Sequence, residues 1–167
     1  MRAVIALVAI LGCLLSSIAT PGQAPGRSRL PEVLPAEGLV PESILVFRKQ
    51  ASLDPHYYFA DETVLGLDGT AEAVFARYAT RAGEALLLVV CYPSEEDARR
   101  AYEKFGGDFF SKRFDAKNPR MIERLESGDY AAALRARTFL IVVLEAPDRR
   151  SCDELARRAE EQALGLL

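Results

Sequence analysis

Cysteine is the residue type in this sequence best placed to do chemistry, and it occurs three times, as Cys13, Cys91 and Cys152. Cys13 ends the stretch Ile10-Leu11-Gly12-Cys13, which approximates the box where an exported chain is cut and its new N-terminal cysteine lipid-modified. Cys91 closes an apolar run and Cys152 opens a helical pattern, so both fall at the ends of elements. In an oxidising compartment an even pair of thiols is a candidate disulfide. A Cys91–Cys152 bridge would close a loop of about 60 residues and stabilise the domain by roughly 3–4 kcal/mol. The other reading keeps them apart, Cys91 as a small buried hydrophobe and Cys152 as a helix-start residue. A helix N-terminus lowers a thiol pKa, but Cys152 has no C-x-x-C spacing and no neighbouring partner for redox catalysis.

The remaining reactive types are scattered. His56 is the only histidine; Asp54, Asp61 and Glu62 stand near it, without the ligand spacing of a zinc site. Asp108, Asp115, Glu123, Glu126 and Asp129 include enough carboxylates for a general acid–base pair, yet nothing in their spacing selects two. Arg135 and Arg137 alternate with Ala136, so on a strand they would share one face toward an anionic ligand. Tyr57, Tyr58, Phe59, Tyr92, Tyr102, Phe105, Phe109, Phe110 and Phe114 would suit either a core or the lining of an apolar cavity. No Ser stands in a G-x-S-x-G elbow, and no Gly-rich loop follows a strand to cradle phosphate. The sequence therefore specifies no catalytic residue, no metal site and no cofactor.

The start of the chain specifies a compartment. Residues 1–19 carry one charge, Arg2, then an uncharged apolar run from Ala3 to about Leu15. That is the pattern of a secretory signal peptide, with small residues Ser17 and Ala19 at an A-x-A-like cleavage site. Cleavage after Ala19, lipidation at Cys13 and an uncleaved anchor are the three outcomes, and each exports the domain to the periplasm or beyond. The formal charge is −3, and loss of Arg2 with the leader makes it −4. With 17 Arg to 4 Lys the composition reflects GC-rich coding rather than a basic face, which removes the electrostatic case for nucleic acid. Membrane contact would come only through the N-terminal anchor.

These residues need elements to position them. Residues 20–33 read as a Pro-rich linker, because proline fixes φ and lacks a donor, and a single domain spans 34–167. Strands are expected at 44–47, 85–92 and 138–146, with an extended aromatic segment at 56–60. Asp68-Gly69 predicts a hairpin between 63–67 and 71–78, and Ser127-Gly128 a second between 121–126 and 129–137. Ser94, with Asp97 at N3, caps one helix, whose stripe is Ala98, Ala101, Tyr102, Phe105 and Phe109; Gly106-Gly107 would end or kink it. Ser151, with Glu154 at N3, caps the other, whose stripe is Leu155, Ala156, Ala159 and Ala163. The run 86–101 echoes 139–159, which suggests two ββα units in one sheet.

The string Leu34-Pro35, Glu37-Gly38-Leu39-Val40-Pro41 and Ser43, followed by Phe47, together with the later apolar strand, Tyr92-Pro93 and Ser-capped Ala-rich helix, resembles an uncharacterised bacterial family of exported proteins, a domain of unknown function. The resemblance spans residues 34–164 and implies compartment and fold, with no catalytic residues to carry across. The order of elements is also similar, at the level of fold, to exported α/β sandwich domains related to the photosystem II PsbP protein. The expectation is an α+β domain with a predominantly antiparallel sheet of six to eight strands and two main helices. Its expected function is binding or assembly in the cell envelope, with an unknown envelope protein as partner. The alternatives are a carrier of a small apolar ligand in a sheet–helix pocket and an envelope hydrolase using paired carboxylates.

Overall fold

A computed structural model describes residues 28–110 and 114–166; the signal segment, Cys13 and the first part of the linker lie outside the described residues. The fold is α+β. Six antiparallel strands, β1 (Leu45–Phe47), β2 (Glu72–Ala79), β3 (Glu84–Cys91), β4 (Arg120–Arg124), β5 (Tyr130–Ala136) and β6 (Phe139–Ala146), form one sheet in the order β1-β2-β3-β6-β5-β4. Helices α1 (Glu95–Phe109) and α2 (Arg149–Gly165) follow β3 and β6. Apart from Glu84 and Glu145, β3 and β6 are apolar, because they are central and covered on both faces.

Each face has its own core. On one, Ala98, Tyr102 and Phe105 of α1 lie against Ala131 and Ala133 of β5 and Leu140 and Val142 of β6. Large side chains come from the helix there and small ones from β5. On the other face the sizes are reversed: Ala156, Ala159 and Ala163 of α2 meet Leu134, Ile141 and Val143. That complementarity gives crystal-like interior packing, and burying each large apolar side chain stabilises the fold by about 1.5–3 kcal/mol.

The two helices take opposite faces because β6 contains a bulge. Its register with β3 runs Leu87↔Val143 and then Leu86↔Glu145, leaving Leu144 without a partner. Alternation is therefore inverted beyond Leu144. Leu144 faces the α1 core, while Ala146 faces the α2 core despite the even spacing. Pro93 and Pro147, Ser94 and Asp148, Ala98 and Cys152, and Phe105 and Ala159 correspond in the two ββα segments. The single extra residue in β6 nevertheless sends the second helix to the other side.

Several local expectations are corrected. Residues 63–67 do not form a strand, because side chains have taken the backbone groups that a ladder would use. Gln50 Oε1 accepts from Leu65 N at 3.1 Å, and Tyr92 Oη donates to Leu65 O at 2.6 Å. Asp68 accepts from Thr70 N at 2.9 Å, closing a turn that leads into β2 alone. Residues 56–60 likewise join no strand. The whole 48–71 connection lies over the α1 face, burying Leu53, Phe59, Val64 and Leu65. α2 begins at Arg149, not after Ser151. Asp148 caps it, accepting from Ser151 N at 2.9 Å, and Ser151 Oγ donates back at 2.8 Å. Asp caps as well as Ser, and the earlier start turns Cys152 into the core. The hairpin around Ser127-Gly128 and the Ser94 cap are present as expected.

The packed fold also begins ahead of Leu34: Leu30 and Val33, on a short 3₁₀ turn, are buried in the α2 core. The string from Leu34 to Ser43 forms part of the sheet margin. Val40 N donates to Arg77 O at 2.9 Å, Ala79 N to Gly38 O at 2.7 Å, and Arg77 N to Ser43 Oγ at 2.8 Å. These bonds occupy the β2 edge beyond the short strand β1.

Gly106 and Gly107 neither end nor break α1, which continues to Phe109. A Cβ on Gly106 would lie 1.9 Å from the Phe114 ring, whereas one on Gly107 would meet nothing within 4 Å. Gly107→Ala should therefore stabilise the protein by up to about 1 kcal/mol, the helix-propensity difference. Gly106→Ala should destabilise it by about 1–2 kcal/mol, because Phe114 must leave its edge contact with Tyr102. Urea midpoints of the two variants check this; equal shifts would contradict it.

Candidate functional site

The residues singled out for chemistry do not converge. Cys91 and Cys152 are free thiols, half-buried and buried respectively. Both face the α2 core, but β3 and β6 are antiparallel, with Cys91 opposite Phe139 at the start of β6. The ends of the two strands consequently point opposite ways, and Cys152 follows the far end. His56 lies in a turn with its ring centroid 5.8 Å from that of Phe75. Asp61, nearby in sequence, is instead held by Lys104 Nζ at 2.7 Å and by Thr63. These partners, Lys104 foremost, hold its carboxyl well below the usual range. Among the described residues no three His, Cys, Asp or Glu side chains group to hold a metal.

The five carboxylates are dispersed. Asp108 pairs with Lys104 at 2.8 Å on α1, Asp115 accepts from Lys117 N in the following loop, and Glu123 is on β4. Asp129 accepts from Ser127 Oγ at 2.9 Å in the β4–β5 turn, where Glu126 is exposed. Arg135 is on β5, but Arg137 sits in the β5–β6 turn with φ 53°, so the two do not share a strand face. The aromatics fill one another's space: Phe105 stacks on Phe109 at 5.0 Å and meets Phe59 and Phe110 edge-on. One carboxylate that no spacing marks is Glu145, turned by the bulge to the α1 side opposite Leu86. Burial, and then Asp129, raises its pKa.

What the fold does build is an open cleft of about 370 Å³, mixed polar and apolar in its walls, between the first turns of α2 and the far end of β2. Its walls are Ala79, Thr80 and Arg81 at the β2–β3 turn, and Asp148, Arg150, Ser151, Glu154, Leu155 and Arg158 along one side of α2. Glu37 and Tyr78 complete it. Arg150 and Glu154 pair at 2.9 Å, and Arg158 reaches Glu37 at 2.6 Å, tying α2 to the Leu34–Ser43 string. Tyr78 is 1% exposed, and its hydroxyl, buried, has no hydrogen-bond partner among the described residues. Burial pushes its pKa up.

No family model, curated protein or solved structure matches the chain. The cleft thus has to be read from its own chemistry. Sequence spacing did not mark it, because its residues come from three separated stretches. The one signal was the Leu34–Ser43 string, whose Glu37 lies on the cleft wall.

An unpartnered buried hydroxyl costs about 1–3 kcal/mol of desolvation. Tyr78→Phe should leave stability unchanged or raise it by about 1 kcal/mol in chemical denaturation. A clear loss of stability would mean that the hydroxyl is bonded within the folded chain.

Proposed function

We propose that this protein is an exported binding or assembly module of the cell envelope, and that it holds its target at the cleft between α2 and the β2–β3 turn. The observation that carries the reading is the charge inventory of that cleft. Its acids and two of its arginines are engaged in caps or ion pairs, while Arg81, exposed, has no ion pair among the described residues. Both sheet faces are filled by apolar side chains, which favours recognition at the perimeter over uptake of an apolar ligand between sheet and helices. The five dispersed carboxylates line neither this cleft nor the clefts at Gly66–Lys104 and Asn118–Arg149, which speaks against a hydrolase built on them. Export rests on the sequence of residues 1–19 and on the likeness of residues 34–164 to exported domains. Among the described residues no helix is long and apolar enough to cross a membrane.

Two measurements test this. The intact mass of protein recovered from the envelope should match a chain beginning at Thr20; a lipid adduct on Cys13 would make it a tethered lipoprotein, and recovery from the cytoplasm with the leader attached would refute export. Titration of the isotope-labelled protein with envelope extract should shift the NMR signals of Ala79, Thr80, Arg81, Ser151 and Arg158. Shifts confined to other residues, or none, would refute the cleft as the binding site.

A further inference from the structure

We propose that the open edge of β4 takes an extended segment of a partner protein as a seventh strand, and that this segment carries acids at alternate positions. The surface is separate from the cleft between α2 and the β2–β3 turn. The sheet has two edges, and the chain treats them differently. At one, β1 and the Leu34–Ser43 string cover β2, the string through bonds of Gly38, Val40 and Ser43. At the other, β4 ends the sheet with no strand beyond it among the described residues.

The ladder with β5 fixes which groups of β4 point outward. Arg135 N donates to Pro119 O at 2.9 Å, and Leu125 N to Asp129 O at 2.7 Å. Antiparallel pairs alternate between bonded and non-bonded. Met121 and Glu123 therefore bond to β5, while Arg120, Ile122 and Arg124 turn their peptide groups away from it. The Arg120 amide is taken by Asn118 Oδ1 at 3.1 Å. The N–H and C=O groups of Ile122 and Arg124 have no partner among the described residues. Such a row is the template on which an added strand pairs.

The side chains select the strand. Arg120, Ile122 and Arg124 share the α2 face by alternation, with Ile122 half-buried against the α2 core. Arg124 is exposed and makes no ion pair among the described residues, its Nε donating to Gly128 O at 3.2 Å. Arg120 is held by Asp153 and Glu160. Beside it stands Arg149, exposed and likewise without an ion pair among the described residues. Asn118, Arg120, Met121, Ile122 and Arg149 line an open cleft of about 400 Å³ along this edge, and no acid stands in its wall. Opposite charges across paired strands attract, and like charges directly opposite repel. Pairing with a second copy about Ile122 would set each Arg120 against the other copy's Arg124, so the edge disfavours itself. It fits a strand that presents acid, apolar and acid side chains in turn.

Three acetylated and amidated peptides of about seven residues test this. One alternates threonine with glutamate, valine and glutamate; the second has lysine for glutamate; the third is the first N-methylated at valine. Binding to the full chain is followed by NMR and by hydrogen exchange. In the free protein the Ile122 and Arg124 amides should exchange rapidly, and those of Met121 and Glu123 slowly. The glutamate peptide should bind with Kd of about 1 mM or below and slow exchange at Ile122 and Arg124. The lysine and N-methylated peptides should each bind at least about tenfold more weakly. Arg124→Glu combined with Arg149→Glu should reverse the preference toward the lysine peptide. Ile122→Pro removes an outward N–H and no bond to β5, so a folded variant should lose the peptide. If that variant does not fold, the N-methylated peptide decides whether the backbone pairs. Failure of the glutamate peptide to protect Ile122 and Arg124 overturns the proposal, and so does equal affinity for the glutamate and lysine peptides. Protection of the same amides that rises with protein concentration alone would assign the edge to a second copy and also overturn it.

Discussion

Replacing Gly38 with alanine should lower the stability of the domain by roughly 3 kcal/mol, since two costs add. Gly38 has φ +78°, in the left-handed region where a Cβ costs an L-residue about 1–2 kcal/mol. The same Cβ would lie 2.5 Å from the carbonyl oxygen of Ala79, a backbone atom that cannot rotate away. That contact is close because Gly38 O accepts from Ala79 N at 2.7 Å, with Leu39 bridged to Tyr78 alongside. Relief would therefore pull the Leu34–Ser43 string from the β2 edge and expose the Ala79 amide. Gly69 separates the two costs. It has φ +93°, but a Cβ there would meet nothing within 4 Å, so Gly69→Ala should lose only about 1 kcal/mol. Urea denaturation of both variants, with hydrogen exchange at Ala79, gives the comparison. A Gly38→Ala variant no less stable than Gly69→Ala would show that the string does not press on β2.

Cys91 should react with a thiol reagent more than about tenfold faster than Cys152. Burial foremost pushes the Cys152 thiol up to about 12, so at pH 8 only about one part in ten thousand is thiolate. The residue is also fully enclosed in the α2 core. Cys91 is shifted in the same direction by burial, but it is half-exposed and a hydrogen bond with Thr138 partly opposes the shift. In a variant with Cys13 replaced by serine, a thiol reagent at pH 8 should label Cys91 promptly and Cys152 only on unfolding. Equal rates, or a protein in which neither thiol reacts until it is reduced, would contradict the free, unequal thiols of this fold.

The same burial sets the alkaline limit of stability. Cys152 is held up to about 12, and the Tyr57 and Tyr102 phenols are likewise pushed up to about 12, chiefly by burial. Unfolded, these groups lose their protons near 9 and 10, so between there and pH 12 the native state binds more protons than the unfolded one. Stability should be fully present below pH 9 and fall as pH rises toward 12. A denaturation midpoint that stays flat from pH 8 to 11.5 would refute this.

Much of the fold was legible because it is local. The apolar runs of β3 and β6, the Ser94 cap and the stripe of α1 each follow from period and chemistry within a dozen residues. The hairpin at Ser127-Gly128 is equally local, since glycine at that turn adopts φ +101°. Where local chemistry was ambiguous the reading failed. Residues 63–67 are apolar enough for a strand, but Gln50 and Tyr92, 15 and 27 residues from Leu65, claim its backbone. The start of α2 was misplaced because Asp148 and Ser151 are both good caps, and only burial of Cys152 decides between them.

By itself the sequence determined the composition of this protein: an antiparallel α+β domain, two amphipathic helices after two apolar strands, and an export-like leader. Only the tertiary structure decided which groups meet. One unpartnered residue in β6 inverts strand alternation, places the helices on opposite faces and turns Glu145 toward the α1 side. The antiparallel pairing of β3 with β6 sends the strand ends leading to Cys91 and Cys152 in opposite directions, against the neighbourhood that element-end spacing suggested. The cleft joins Glu37, Tyr78, Arg81 and Arg158 across more than a hundred residues. No period or spacing encodes such a meeting, because it depends on sheet order and register, which are set by packing of the whole chain.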